Sequence, residues 1–111
     1  GLSEARASAR GDVGRAGALT LDDLPRALVA RDRRGLIKLV ADGRSKRLLG
    51  AHILAPEGAD SIQTAAMAIR AGMTYDDLGA TIFPYLTTVE GLKLAAQAFD
   101  RDISRLSCCA G

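Results

Sequence analysis

Two adjacent cysteines near the end of the chain are the residues best suited to chemistry. Cys108 and Cys109 follow Ser107 and precede Ala110-Gly111. Neighbouring cysteines form a strained disulfide, because the small ring distorts the peptide bond between them. As a dithiol they can hold one soft metal ion or attack one disulfide. The alternative is a pair of small apolar residues under the last helix, but the polar surroundings favour a mobile, exposed tail over residues 107–111.

The second candidate is the segment Phe83–Glu90, which reads Phe-Pro-Tyr-Leu-Thr-Thr-Val-Glu. Thr87 and Glu90 have the spacing of a capping box, in which each side chain bonds the backbone N–H at the other position. That structural role explains both residues without any function. It does not explain Tyr85, a phenol on a loop stiffened by Pro84 just before a helix.

Other familiar site types are absent from the sequence. His52 is the only histidine and lies in the middle of a predicted strand, where a structural imidazole is favoured over a catalytic one. No Gly-rich phosphate loop follows a predicted strand, which excludes a dinucleotide fingerprint and a P-loop. A single histidine without a Cys/His cluster also excludes a zinc-finger-type site.

Length and composition indicate one globular domain, with 111 residues of which 48% are hydrophobic and 25% charged. Residues 1–50 carry 11 basic and 6 acidic side chains, and residues 51–111 carry 4 and 7, giving the net charge of +2. Nucleic-acid binding is not expected, because aromatic residues are only 4% and tryptophan is absent. No signal peptide or membrane-spanning stretch is predicted, so we expect a cytoplasmic protein without membrane contact. The chain begins with Gly1 rather than methionine, which suggests a piece of a longer protein.

The elements that must position these candidates follow from hydrophobic periodicity and turn residues. Three strands are predicted over Ala27–Arg31, Leu36–Ala41 and Arg47–Ala55, and the short turns between them require antiparallel neighbours. Leu49, Ala51, Ile53 and Ala55 are predicted to share one face of the third strand, with Leu48, Gly50, His52 and Leu54 on the other. Neither face is polar, so part of the sheet should be covered on both sides.

Helical patterns lie on both sides of these strands. Ser3 is predicted to cap a short helix that ends near Gly11, and Thr74 with Asp77 to begin another that Pro84 interrupts. Two longer helices are predicted from their apolar stripes. The first begins with an Asp60–Gln63 capping box and ends before Gly72, and its stripe is Ile62, Ala65, Ala66 and Ile69. The second covers Val89–Phe99, and its stripe is Leu92, Ala95, Ala96 and Phe99. The predicted fold class is α+β, a two-layer sandwich with helices packed on one face of an antiparallel sheet. The predicted organisation is a leading segment 1–18, an interface domain 19–106 and the tail 107–111.

The stretch from about Leu21 to Gly111 resembles the C-terminal interface domain of the pyridine nucleotide–disulfide oxidoreductases, which are homodimeric flavoenzymes. The resemblance rests on Leu48–Pro56, on Ile62-Gln63 and on the loop Tyr85–Glu90. In most of the family this loop reads His-Pro-Thr-x-x-Glu, and its His–Glu pair serves the partner subunit's active site. Here Tyr85 replaces the histidine and Leu86 the proline, so the usual catalytic base is missing.

One branch of this family combines the tyrosine with a Cys-Cys tail and reduces Hg(II) with NADPH. Resemblance to that branch implies catalytic roles for Tyr85 and Glu90, and Hg(II) binding by Cys108, Cys109 and Tyr85. It also implies a homodimer, Hg(II) delivered as thiol adducts, and FAD and NADPH bound by upstream domains outside this chain. Two alternatives remain open: a thioredoxin-reductase-like enzyme whose C-terminal cysteines relay electrons, and a non-enzymatic dimerisation or metal-capture module.

Overall fold

The computed structural model describes residues 1–101, which form a three-stranded antiparallel sheet of order β1-β2-β3 with helices against it. None of the helices in this part of the chain is long and apolar enough to cross a membrane. The strands are β1 (Gly14–Thr20), β2 (Leu36–Asp42) and β3 (Leu48–Leu54), and the α-helices are α1 (Glu4–Ala9), α2 (Pro25–Ala30), α3 (Gly58–Arg70), α4 (Tyr75–Ala80) and α5 (Glu90–Gln97).

The first strand differs from the sequence prediction. A strand at Ala27–Arg31 is wrong, because Pro25 occupies the first turn of helix α2 and Arg31 ends that helix in the left-handed region at φ 56°. The strand that pairs with β2 is instead β1, which crosses the predicted boundary at residue 18. Its sequence, Gly-Arg-Ala-Gly-Ala-Leu-Thr, has too few large apolar residues to show the two-residue period of a strand.

The β2–β3 hairpin is confirmed, with one irregularity that moves a side chain. The register changes between Val40 and Ala41: Val40 pairs with Gly50, whereas Ala41 pairs with Leu48. Leu49 is therefore the extra residue of a β-bulge, and the alternation of side chains shifts by one position there. Leu48 consequently joins the same core as Ala51 and Ile53, although strict alternation predicts the opposite face for it.

The last helix follows its predicted stripe, and α3 follows its own in part. In α3, Ile62, Ala65 and Ile69 contact the core, but Ala66 is exposed, because the buried face runs through Ser61, Ala65 and Ala68. Helix α3 begins at Gly58 after Glu57, so Asp60 lies inside the first turn and its predicted capping box with Gln63 is wrong. The Thr74–Asp77 capping box is confirmed, as is the stop after α3 at Gly72, with φ +71°. The four predicted core residues of the last helix are buried: Leu92, Ala95, Ala96 and Phe99.

The sheet is covered on both sides, as its apolar strands predict. The main core lies between the sheet and helices α2 to α5 and contains Leu19, Ile37 and Leu39. Val40 points to the opposite face and is also fully buried, because α1 with its buried Ala7 packs there. The predicted Ser3 cap of α1 is confirmed by the bond from the Arg6 backbone N–H to its hydroxyl. The predicted α+β fold class is confirmed, but the predicted placement of helices on one face only is wrong, because α1 covers the second face of the sheet.

Candidate functional site

The candidate site is the loop 81–89 between α4 and α5. Phe83 packs against the main core and fixes the middle of this loop to the domain. On either side of it the side chains point outward, since Ile82 is 92% exposed and Tyr85 is 57% exposed. The loop therefore presents a phenol and an apolar side chain on the surface of a rigid body.

A strained backbone residue sets the direction of the loop after Tyr85. Leu86 has φ +65°, a left-handed conformation that costs an L-residue with a Cβ about 1–2 kcal/mol. The Thr87 hydroxyl closes the turn, since it donates to the Pro84 carbonyl at 2.9 Å and accepts from the Glu90 N–H at 3.3 Å.

Only one half of the predicted capping box forms. The Thr87 hydroxyl accepts from the Glu90 N–H, as predicted. The N-cap residue of α5 is Val89 rather than Thr87, however, and within the described residues the Glu90 Oε1 has no hydrogen-bond partner. The Thr87 hydroxyl thus links the loop to the start of the helix without a complete box.

Glu90 is also the electrostatically unusual group of the site. Its Oε1 is buried and has no hydrogen-bond partner within the part of the chain that the structure describes. Burial raises the pKa of the Glu90 carboxyl, while Lys93 and the Leu86 N–H act in the opposite direction with smaller effect. The carboxyl is therefore disposed to keep a proton more strongly than an exposed glutamate does.

The structure does not bring all of the predicted site residues together. Cys108 and Cys109 lie outside the described residues, so their contact with Tyr85 remains a prediction. His52 lies on the exposed side of β3, where its Nε2 is 3.3 Å from the Leu2 carbonyl oxygen. Within residues 1–101 there is no group of three or more His, Cys, Asp or Glu side chains placed to hold a metal ion.

Sequence reasoning missed one polar residue that the fold uses extensively. Arg15 in β1 donates to the Tyr75 hydroxyl at 2.9 Å and to the Phe99 carbonyl at 2.6 Å. These partners are 60 and 84 residues away along the chain. Only the correct assignment of β1 as a strand would have placed Arg15 on the side of α4 and α5.

Comparison with known proteins identifies the family of this chain. Residues 1–96 match the family model described as pyridine nucleotide-disulphide oxidoreductase, dimerisation domain. The chain belongs to this family. The match includes residues 1–20, which the resemblance seen in the sequence left out, and this agrees with the pairing of β1 into the sheet.

Relatives within the family are mercuric reductases. The chain is 55% identical over 111 residues to that of Shigella flexneri, covering 100% of this chain and 20% of the relative. It is 60% identical over 93 residues to that of Acidithiobacillus ferrooxidans, covering 84% of this chain and 17% of the relative. The chain thus spans about a fifth of the length of the curated relatives it matches.

A solved structure of a flavoprotein disulfide reductase shares the fold. The Cu(II) complex of the HOCl-induced flavoprotein disulfide reductase RclA from Escherichia coli superposes with a TM-score of 0.81. It is 30% identical in sequence, over 87% of this chain and 22% of that one. Within residues 1–101 all of the paired strands run antiparallel, so this part of the chain contains no parallel βαβ unit.

Proposed function

We propose that this chain is the dimerisation domain of a mercuric reductase, a flavoenzyme that reduces Hg(II) to Hg(0) with NADPH. The observation that carries the proposal is the identity of 55% over the whole chain to a mercuric reductase, which includes the segments bearing Tyr85 and the two cysteines. The chain by itself is not expected to reduce Hg(II). FAD and NADPH would be bound by other domains of the full-length enzyme, which we expect to work in the cytoplasm.

The proposed role of Cys108 and Cys109 is to capture the substrate metal. Hg(II) is a soft cation that prefers two thiolates in a linear arrangement, and these adjacent residues supply two on one tether. Each thiolate displaces one thiol ligand of the incoming Hg(II) adduct, and the released thiolate takes up a proton from solvent. The captured ion is then transferred to cysteines in the active site of the partner subunit of a homodimer.

Tyr85 and Glu90 have different roles in this proposal. The exposed Tyr85 phenol can contact the metal or its thiol ligands during transfer, without the proton affinity of an imidazole. Glu90 acts through position, because its backbone N–H bonds the Thr87 hydroxyl and so joins the start of α5 to the loop that carries Tyr85. Tyr85 acts by contact.

Titration of the chain with Hg(II) under reducing conditions tests the capture role. We expect about one Hg(II) bound per chain, followed by thiolate-to-mercury absorbance, because two thiolates complete a linear site. Cys108→Ala and Cys109→Ala should each abolish tight binding rather than halve it, since chelation by two tethered groups is lost. Zn(II) is the matched metal control and should bind far more weakly, because it requires four ligands. Equal binding by the wild type and the single-cysteine variants would contradict the chelate.

A further inference from the structure

One hydroxyl group connects the residue before Tyr85 to the first residue of α5. The Thr87 hydroxyl donates to the Pro84 carbonyl at 2.9 Å and accepts from the Glu90 N–H at 3.3 Å. The Pro84 carbonyl belongs to the same planar peptide group as the Tyr85 nitrogen. A bond that holds this carbonyl therefore fixes the plane from which the Tyr85 side chain projects.

The backbone of this segment depends on that bond. Tyr85 and Leu86 are the central residues of a tight turn between Pro84 and Thr87. Leu86 has φ +65°, a conformation that turns usually assign to glycine or asparagine, because a Cβ there is unfavourable. The turn is thus poorly supported by its own residue types, and a side-chain bond across it contributes more than it would with glycine at this position.

The two ends of the loop are attached to the core, whereas its middle is exposed. Phe83 and Val89 pack against the main core. Tyr85 lies between them and is more than half exposed, so the direction of its phenol depends on the backbone of the turn. We propose that Thr87 is a positioning residue, whose hydroxyl holds the turn so that the Tyr85 phenol faces the metal or its thiol ligands during transfer. This inference rests on the role of Tyr85 proposed above.

The strength of one hydrogen bond gives the size of the expected effect. Loss of a neutral bond shifts the balance between two conformations by about fivefold. In the full-length enzyme, kcat for Hg(II) per bound flavin should therefore fall about fivefold in Thr87→Val. Reduction of the flavin by NADPH should be unchanged. Counting turnover per bound flavin removes the effect of any enzyme that fails to fold.

Two further variants separate positioning from a general effect of the substitution. Thr87→Ser keeps a hydroxyl that can donate and accept, so it should retain most of the turnover. Thr81→Val is the matched control, because the Thr81 hydroxyl donates to the Asp77 carbonyl at 2.8 Å in the same loop, away from Tyr85. Turnover as low as that of Thr87→Val in either of these variants would overturn the inference.

Nuclear magnetic resonance of the chain with isotope-labelled tyrosine rings tests positioning without any turnover. The chain has two tyrosines, and the buried Tyr75 serves as the internal reference. The Tyr85 ring signal should shift, broaden or split in Thr87→Val and stay in place in Thr81→Val. A Tyr85 signal that is unchanged in Thr87→Val would overturn the inference, because the phenol would then be held without the hydroxyl.

A double-mutant comparison separates this inference from the proposed role of Tyr85. In a Tyr85→Phe background, Thr87→Val should cause no further loss of turnover, because no phenolic hydroxyl remains to be positioned. If it does cause a further loss, or if Tyr85→Phe slows turnover while Thr87→Val does not, the inference is overturned and the role of Tyr85 stands. If Tyr85→Phe leaves Hg(II) turnover unchanged, the role of Tyr85 and the inference are overturned together.

Discussion

β2 and the loop 81–89 both contact α5, but different forces hold them. Ile37 and Leu39 of β2 are essentially inaccessible and pack with Leu92 of α5, so apolar burial fixes that side of the helix. The loop has an exposed Tyr85 and a left-handed Leu86, and its shape depends on a few polar bonds at the start of α5. Core substitutions should therefore reduce stability, whereas loop substitutions should change activity at little cost in stability.

The largest effect is expected in the core, from Leu92→Ala. Leu92 is fully buried, so its truncation leaves a cavity and should lower the free energy of unfolding by about 3 kcal/mol. Urea denaturation followed by circular dichroism measures this difference. Ile82→Ala is the matched control in the loop and should stay within about 0.5 kcal/mol of the wild type, because Ile82 is 92% exposed.

The next largest effect is expected on activity, from a substitution in the loop 81–89. Tyr85→Phe in the full-length enzyme should slow Hg(II) turnover about tenfold, the cost of losing one bond to a charged group. Reduction of the flavin by NADPH should be nearly unchanged in stopped-flow absorbance, and so should the thermal midpoint. If Tyr85→His gives a competent disulfide reductase with unchanged mercury turnover, the assignment of this position is wrong.

A smaller change in stability should come from Thr87→Val. This nearly isosteric replacement removes the bond to the Pro84 carbonyl and the acceptor for the Glu90 N–H, so we expect a loss of about 1 kcal/mol. Thr87→Ser keeps the hydroxyl and should retain most of the stability. If the free energy of unfolding falls as much as in Leu92→Ala, the loop contributes as much to stability as the core does, which would contradict the comparison.

The smallest effect is a change in pH dependence caused by Glu90→Gln. Because the pKa of the Glu90 carboxyl is raised in the folded state, the folded state binds more protons than the unfolded state in the interval above the ordinary carboxyl pKa. Stability contributed by this group is therefore lost as pH rises through that interval. Glu90→Gln should remove the decline and be slightly stabilising near neutral pH. Urea unfolding across the acid range measures the slope, and identical slopes in the two proteins would contradict the buried assignment.

The parts of the fold with a regular apolar period were predictable from the sequence. These are the stripe of α5 and the hairpin from Leu36, where apolar residues recur with helical or strand period. β1 was missed because its side chains are mostly Gly and Ala, and it becomes a strand only through its pairing with β2. The bulge at Leu49 has no local signal either, since it depends on the register of two strands.

The candidate site was predictable in composition but not in geometry. Tyr85 and Glu90 were identified as candidates from their positions in the segment Phe83–Glu90. The bond from the Glu90 N–H to the Thr87 hydroxyl was predicted from the three-residue spacing of Thr87 and Glu90. The left-handed backbone of Leu86 was not predictable, because a sequence does not show such a conformation for leucine. Arg15 was missed for a similar reason, because its partners are distant in sequence.

Arg15 and its partners Tyr75 and Phe99 lie far apart along the chain, which has a consequence for folding during synthesis. Arg15 leaves the ribosome 84 residues before Phe99, which at about 5 to 20 residues per second corresponds to about 4 to 17 seconds. During that time the β1–β2–β3 sheet can pair, but the guanidinium has no carbonyl to bind. The hydrogen bonds from Arg15 to Tyr75 and Phe99 are thus among the last native contacts to form. Contacts of such long range are also costly in loop entropy, so native-state hydrogen exchange should show the end of α5 opening before the sheet.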